Sequence, residues 1–251
     1  MGRGFAAIRS MAGGPLWPLL AASGAGWVLM LVLVSGQPDL PLCTVHDTGN
    51  IIDGRLDYQA VLFSAAMLSG MMAPLLAQNV TWVGRLSFAS RRWRAIALFL
   101  AGYACLWVIA LSALWLLSNA LRAVFGSEIA AFLAALGLCL IWQGSPVKPA
   151  VLRLCHRTPV LPAFGLRADI ASFGYGLTSA GWCVAACWAL MSLPLAGPSA
   201  HVWLMAAVSP VMLHERYARP PSIRLRRGLA GAGLAAMAAG VVILAWPVGI
   251  G

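Results

Sequence analysis

Residues 174–191 read Gly-Tyr-Gly-Leu-Thr-Ser-Ala-Gly-Trp-Cys-Val-Ala-Ala-Cys-Trp-Ala-Leu-Met, with no charged side chain. An apolar run of this length is enough to cross the hydrocarbon layer of a bilayer as a helix. Its spacing then matters: Cys183, Cys187 and Met191 follow one another at four-residue steps. On a helix such positions lie about 5 to 6 Å apart at Cβ on one face. A neighbouring face carries Ser172, Gly176 and Ala180, small residues that let membrane helices approach backbone to backbone.

The rest of the chain agrees with that class. Of 251 residues 61% are hydrophobic and only 10% charged, too little polar surface for a water-soluble globule of this size. A net charge of +10 would suit nucleic acid if a water-exposed domain presented it. No polar segment is long enough to fold into one, so no nucleic-acid partner is expected. The six cysteines are scattered, mostly within apolar spans, and do not form the dense framework of a small secreted domain.

Seven spans are expected, at about residues 15–34, 58–83, 95–118, 129–144, 169–195, 200–217 and 229–246. The first follows Arg3 and Arg9, is long enough to span, and has no clean cleavage site after it, so it is read as retained. A polar loop at 35–57 holds Asp39, Asp47, Asp53 and Asp57. In the second span, Pro74 is tolerable because a neighbouring helix can satisfy the carbonyl it frees. Residues 146–168 read as a surface loop with room for a short interfacial helix.

Charge orients the spans, because Lys and Arg gather on the cytoplasmic side. With the N-terminus inside and the C-terminus outside, fifteen of the seventeen Lys and Arg fall inside and only Arg55 and Arg122 outside. Five of the seven acidic residues fall outside. Asp169 and Glu215 sit at inner helix ends. The fold expected is therefore all-α, a single polytopic transmembrane helical bundle over 1–251 in a bacterial inner membrane. Residues 1–57 supply the first span and outer loop, and 58–251 supply the rest.

Thiolates and thioethers together favour Cu(I) over harder metals. Cys183, Cys187 and Met191, with Met71 and Met67 of the second span, form the candidate metal set, and copper is the expected metal. Any one Met or Cys is ordinarily a gap-filling apolar residue; the repeated four-residue spacing sets the metal reading of this group level with that one. A redox couple of Cys183 and Cys187 is a further alternative. The histidines are too few and too far apart in depth for a two-histidine haem. Cys43 and His46 belong to a run without a recognised metal spacing. No nucleotide loop, hydrolase triad or zinc-protease motif is present, so no catalytic residue is assigned and a non-enzymatic role is expected. Glu215 reads as part of a charge-balanced helix end beside Arg216.

Several pieces resemble the bacterial membrane family DUF2182, known as predicted metal-binding integral membrane proteins. They are Met67-x-x-Gly70-Met71-Met72-x-Pro74, Phe99-x-Ala101-Gly102-Tyr103-x-x-x-Trp107, Gln143-x-x-Pro146-x-Lys148 with Cys155, Cys183-x-x-x-Cys187-Trp188-Ala189-Leu190-Met191, and Met205 with Glu215. The resemblance runs from about Val61 onward and makes 58–251 the family-like core. It implies the helical bundle and a metal site. Ala186 and Ser179 stand where the family pattern carries a further cysteine and a histidine. That departure favours a second functional reading, a non-catalytic subunit or assembly factor of a larger membrane complex.

Overall fold

In the computed structural model, residues 16–36, 58–196 and 201–217 are described, and they are helical with no strand among them. The helices are α1 (Leu16–Gly36), α2 (Tyr58–Met72), a 3-10 turn at Pro74–Leu76, α3 (Ala77–Leu86), α4 (Arg92–Phe125), α5 (Glu128–Gly144), α6 (Val147–Cys155), α7 (Leu166–Ala196) and α8 (His201–Tyr217). The seventh expected span and the loop with Cys43 and His46 lie outside the described residues. Contacts divide the chain into two compact units, Met1–Trp107 with Arg157–Gly181 and Val108–His156 with Trp182–Gly251. Both α4 and α7 contribute their first part to the former unit and their second part to the latter.

Two helices, α4 and α7, are each long and apolar enough to cross a membrane, and the number rises to four if each of two bent helix pairs is one span. The first bent pair corrects the expectation of one continuous helix over 58–83: α2 stops at Met72 and the chain turns by 45° at the break. The cause is Pro74, which has no N–H to donate. It leaves the carbonyl four residues back, that of Gly70, without its helical partner. Ser23 of α1 fills the gap, its Oγ donating to the Gly70 carbonyl at 2.8 Å. The neighbouring-helix compensation expected for this proline is thus made by one hydroxyl. It requires α1 to lie close, and a Cβ on Gly26 would come within 2.7 Å of the Ala66 carbonyl oxygen and the Gly70 nitrogen.

In the same unit α4 crosses α7 at two glycines. A Cβ on Gly176 would overlap the Phe99 carbonyl oxygen and sit 2.9 Å from the Tyr103 nitrogen, while one on Gly102 would overlap the Phe173 carbonyl oxygen. Ser172 and Ala180 are buried on either side, so the expected small-residue face is the contact face. The rings of Phe99 and Tyr175 pack with centroids 5.2 Å apart. Asn79 of α3 reaches across to α7, donating from Nδ2 to the Tyr175 hydroxyl at 3.0 Å and to Ser179 Oγ at 3.1 Å. Ser179 is therefore part of a buried hydrogen-bond group.

The basic end of this unit is tied by charge. Asp169, in the first turn of α7, pairs with Arg91 and, at 2.8 Å, with Arg94. Trp82 Nε1 donates to the Pro159 carbonyl at 3.0 Å, which joins the segment before α7 to α3.

The second unit begins with the rest of α4, which runs beyond the expected end near residue 118. Arg122, read as a loop residue, lies in its last turn and donates from Nη2 to the Leu195 carbonyl at 3.1 Å. Gly126, at φ +69°, ends the helix, its N–H bonded to the Arg122 carbonyl at 2.9 Å; only glycine enters this left-handed region at little cost. Ser127 caps α5, accepting from the Ala130 N–H. Buried Ala131, Phe132, Ala135, Leu136 and Cys139 form the inner stripe of that helix. A sharp bend of 78° then leads into α6.

Candidate functional site

The sulfur groups that the sequence singled out fall into two sets. Met67 and Met71, both buried, belong to α2 in the first unit. Cys183, Cys187 and Met191 belong to α7 in the second. Within that second set Cys183 and Cys187 stand one helical turn apart, Cys187 buried and Cys183 partly so. Met191, one turn further along, is fully buried. Cys139, Cys155, Cys183 and Cys187 are all thiols, not disulfides, and Cys105, on α4 in the first unit, is exposed.

Cys155 and Cys139 are both buried and belong to the same unit as the pair. Cys155 ends α6, and Cys183 and Arg216 are its electrostatic neighbours. Cys139 lies on the inner stripe of α5, within the electrostatic reach of Lys148 and Glu215. Among the described residues no three His, Cys, Asp or Glu side chains come together as a metal-holding group. A pair of thiolates suits Cu(I) in kind.

Residues 146–168, read as a surface loop with room for a short interfacial helix, do contain a short helix, α6; what differs is that one face of it is buried, with Lys148, Val151, Leu152 and Cys155 inside and Lys148 only 2% exposed. Its ammonium pairs with Glu215 of α8 at 2.8 Å and donates to Gln143 Oε1 of α5. Glu215 is thus not simply balanced by its neighbour Arg216. The Arg216 guanidinium turns to α6 instead, donating from Nη1 to the Cys155 carbonyl at 2.8 Å. The signal was in the sequence: positions 148, 151, 152 and 155 have the i, i+3, i+4, i+7 spacing of one helical face, with a lysine at a position where that pattern calls for an apolar residue.

The end of α5 meets α7 on either side of Cys187. Trp142 Nε1 donates to the Ala186 carbonyl at 3.4 Å, and the Trp142 and Trp188 rings pack with centroids 5.7 Å apart. Gln143, next to Trp142, holds Lys148. His156, just past α6, has its pKa lowered, first by desolvation and then by the Arg216 charge.

The model of the PpoB2 family, described as copper chaperone, matches residues 61–243. No curated protein and no solved structure matches the chain.

Proposed function

The chain belongs to the PpoB2 copper chaperone family, and on that premise we propose that it is a multi-pass inner-membrane protein that takes up Cu(I) on Cys183 and Cys187 and hands it to a partner protein. The observation that carries this reading is the pair of free thiols one turn apart on α7, Cys187 buried and Cys183 partly so. Met191 supplies a thioether on the same face. Met67 and Met71 are proposed as further soft donors on the route. The pieces that resemble DUF2182, from Met67 to Glu215, fall inside the matched range and are kept as part of the same proposal.

Seven spans, with the N-terminus inside and the C-terminus outside, belong to the proposal as well. The long helix α4 leaves Val108, Ile109 and Leu116 exposed, as lipid-facing side chains would be. The cross-connections near the helix ends join segments that the charge pattern puts on one side of the membrane. Asp169 with Arg91 and Arg94, Trp82 with Pro159, and Lys148 with Glu215 link inner segments. Arg122 with Leu195 links outer ones.

Copper analysis of the purified full chain is the direct test. The expected result is one Cu(I) per chain, lost when Cys183 and Cys187 are both changed to Ala. A wild-type protein that binds no Cu(I), or a double variant that binds as much as wild type, would end this reading.

A further inference from the structure

Two stretches of the first unit are rich in arginine, one with Arg85, Arg91, Arg92 and Arg94 and the other with Arg157 and Arg167, and Asp169 is the one acid among them. The fold joins the two stretches. Trp82 donates to the Pro159 carbonyl, Arg91 donates from Nη1 to the Ala163 carbonyl at 3.3 Å, and Arg91 and Arg94 share Asp169. The end of α3, the start of α4 and the start of α7 therefore stand at one end of this unit.

Only part of the charge is used in building that end. Arg85, Arg92, Arg157 and Arg167 are exposed and form no ion pair among the described residues. Six arginines against one aspartate leave five net positive charges there. In the second unit, by contrast, Lys148 and Arg216 turn inward to Glu215 and the Cys155 carbonyl.

Exposed apolar side chains occupy the same end. Phe88 lies between α3 and α4, Trp93 in the first turn of α4, and Val160 and Phe164 before α7, all of them exposed. None of the four falls within an expected span, since those spans begin at 95 and 169. They are thus not accounted for as hydrocarbon-facing groups. Orientation of the spans requires the arginines alone, whereas Trp and other amphipathic rings gather where headgroups meet acyl chains. Cations interleaved with exposed apolar groups are the composition of a surface that binds an anionic membrane interface.

We propose that this end of the first unit is a binding surface for anionic phospholipid: the exposed arginines take the headgroup phosphate, and Phe88, Trp93 and Phe164 lie against the glycerol and upper acyl chains. This rests on the multi-pass reading above. Charge complementarity names the occupant, because the planar guanidinium fork matches phosphate oxygens and an anionic lipid brings phosphate and apolar chain together at the depth where the helices leave the bilayer.

The test incubates the full chain, in mild detergent, with an equimolar mixture of dioleoylphosphatidylglycerol and dioleoylphosphatidylcholine. After repurification the bound lipids are counted by mass spectrometry, and lipid-free melting curves are recorded in parallel. A basic side chain close to an anionic membrane surface strengthens binding roughly fivefold, so wild type should retain phosphatidylglycerol over phosphatidylcholine by at least about tenfold. R85Q/R92Q/R167Q should lose that preference while melting like wild type, because the three side chains are exposed. R85K/R92K/R167K keeps the charge and should restore the preference to within about threefold. W93A/F164A should retain at least about threefold less phosphatidylglycerol, through lost apolar burial. The proposal is overturned if wild type shows no preference, or if R85Q/R92Q/R167Q retains phosphatidylglycerol like wild type. If the arginine variant loses lipid and W93A/F164A does not, the end binds anions of any kind, an acidic protein included, and the lipid assignment is overturned. A chain recovered from cells outside the membrane fraction would mean that the multi-pass reading beneath has failed; a membrane-bound chain without lipid preference loses this proposal alone.

Discussion

Adding one methyl group at Gly176 should cost stability, although the helix itself would gain from it. Alanine is better than glycine in a helix interior by about 1 kcal/mol, so G176A starts with a favourable term. Against it stands the α4–α7 crossing. The new Cβ would overlap the Phe99 carbonyl oxygen and lie 2.9 Å from the Tyr103 nitrogen. Both are helix backbone atoms, so no side chain can swing aside and the two helices must move apart. Overpacking of this kind costs about 1 to 3 kcal/mol. Separation also weakens the Phe99–Tyr175 ring contact at 5.2 Å, where aromatic pairs contribute about 0.5 to 1.5 kcal/mol. The packing terms win, and G176A should be destabilised by about 1 to 2 kcal/mol. Gly174 is the internal control: it lies on the same helix, and a Cβ there would meet nothing within 4 Å. G174A keeps only the propensity gain and should be neutral or up to about 1 kcal/mol more stable. Denaturant titration in mild detergent, followed by helical circular dichroism, measures both. If G176A proves as stable as G174A, the close crossing of α4 and α7 is wrong.

S23A removes the donor to the Gly70 carbonyl and should cost about 0.6 kcal/mol, the average for a polar contact between membrane helices; equal stability to wild type would mean that the kink at Pro74 is satisfied in another way. At the basic end, R94A should change stability by less than about 0.5 kcal/mol because the Arg94 side chain is 69% exposed, whereas D169N should cost clearly more, since Arg91 and Asp169 are mostly buried; a reversed order in the same titration would refute this. Added Cu(I) at a hundred times its dissociation constant should stabilise wild type by about 2.7 kcal/mol, and C183S or C187S singly should abolish most of that gain, so identical melting curves for all three proteins would remove the thiols from the site. Because ligating thiols must release their protons, lower pH means stronger competition, and apparent Cu(I) affinity should fall as pH falls; a flat profile between pH 8 and pH 6 would argue against a dithiolate.

Much of the fold was legible where an apolar run has clear ends. The first run, read at 15–34, is helical over Leu16–Gly36, and the run at 129–144 became Glu128–Gly144 with Ser127 as its cap. Two boundaries were missed for different physical reasons. The hydrophobic run continues through Pro74, so composition could not show a break that depends on one missing N–H. Conversely, α4 outlasts its expected span because a helix persists while its hydrogen bonds do, and Gly126, not the fading of hydropathy, stops it. The one-turn separation of Cys183 and Cys187 followed from spacing alone, since it lies within one helix. The Lys148–Glu215 pair joins residues far apart in sequence, and their meeting depends on how α6 and α8 pack. What the sequence did contain was a lysine on the buried stripe of α6, a misfit that asks for a partner.

That misfit separates the two units by their chemistry. The first is joined by close backbone approach and neutral hydrogen bonds: Gly102 and Gly176 at one crossing, Ser23 to Gly70 at another, Asn79 to Tyr175 and Ser179 at a third. Its charged pairs stand near helix ends. The second contains the thiols of Cys139, Cys155, Cys183 and Cys187 and the charged groups of Lys148, Glu215 and Arg216. Neutral thiols alone would pack well without ions, as cysteine does in most apolar interiors. The ions of that unit are held by one another and by backbone instead: Lys148 by Glu215 and Gln143, Arg216 by the Cys155 carbonyl.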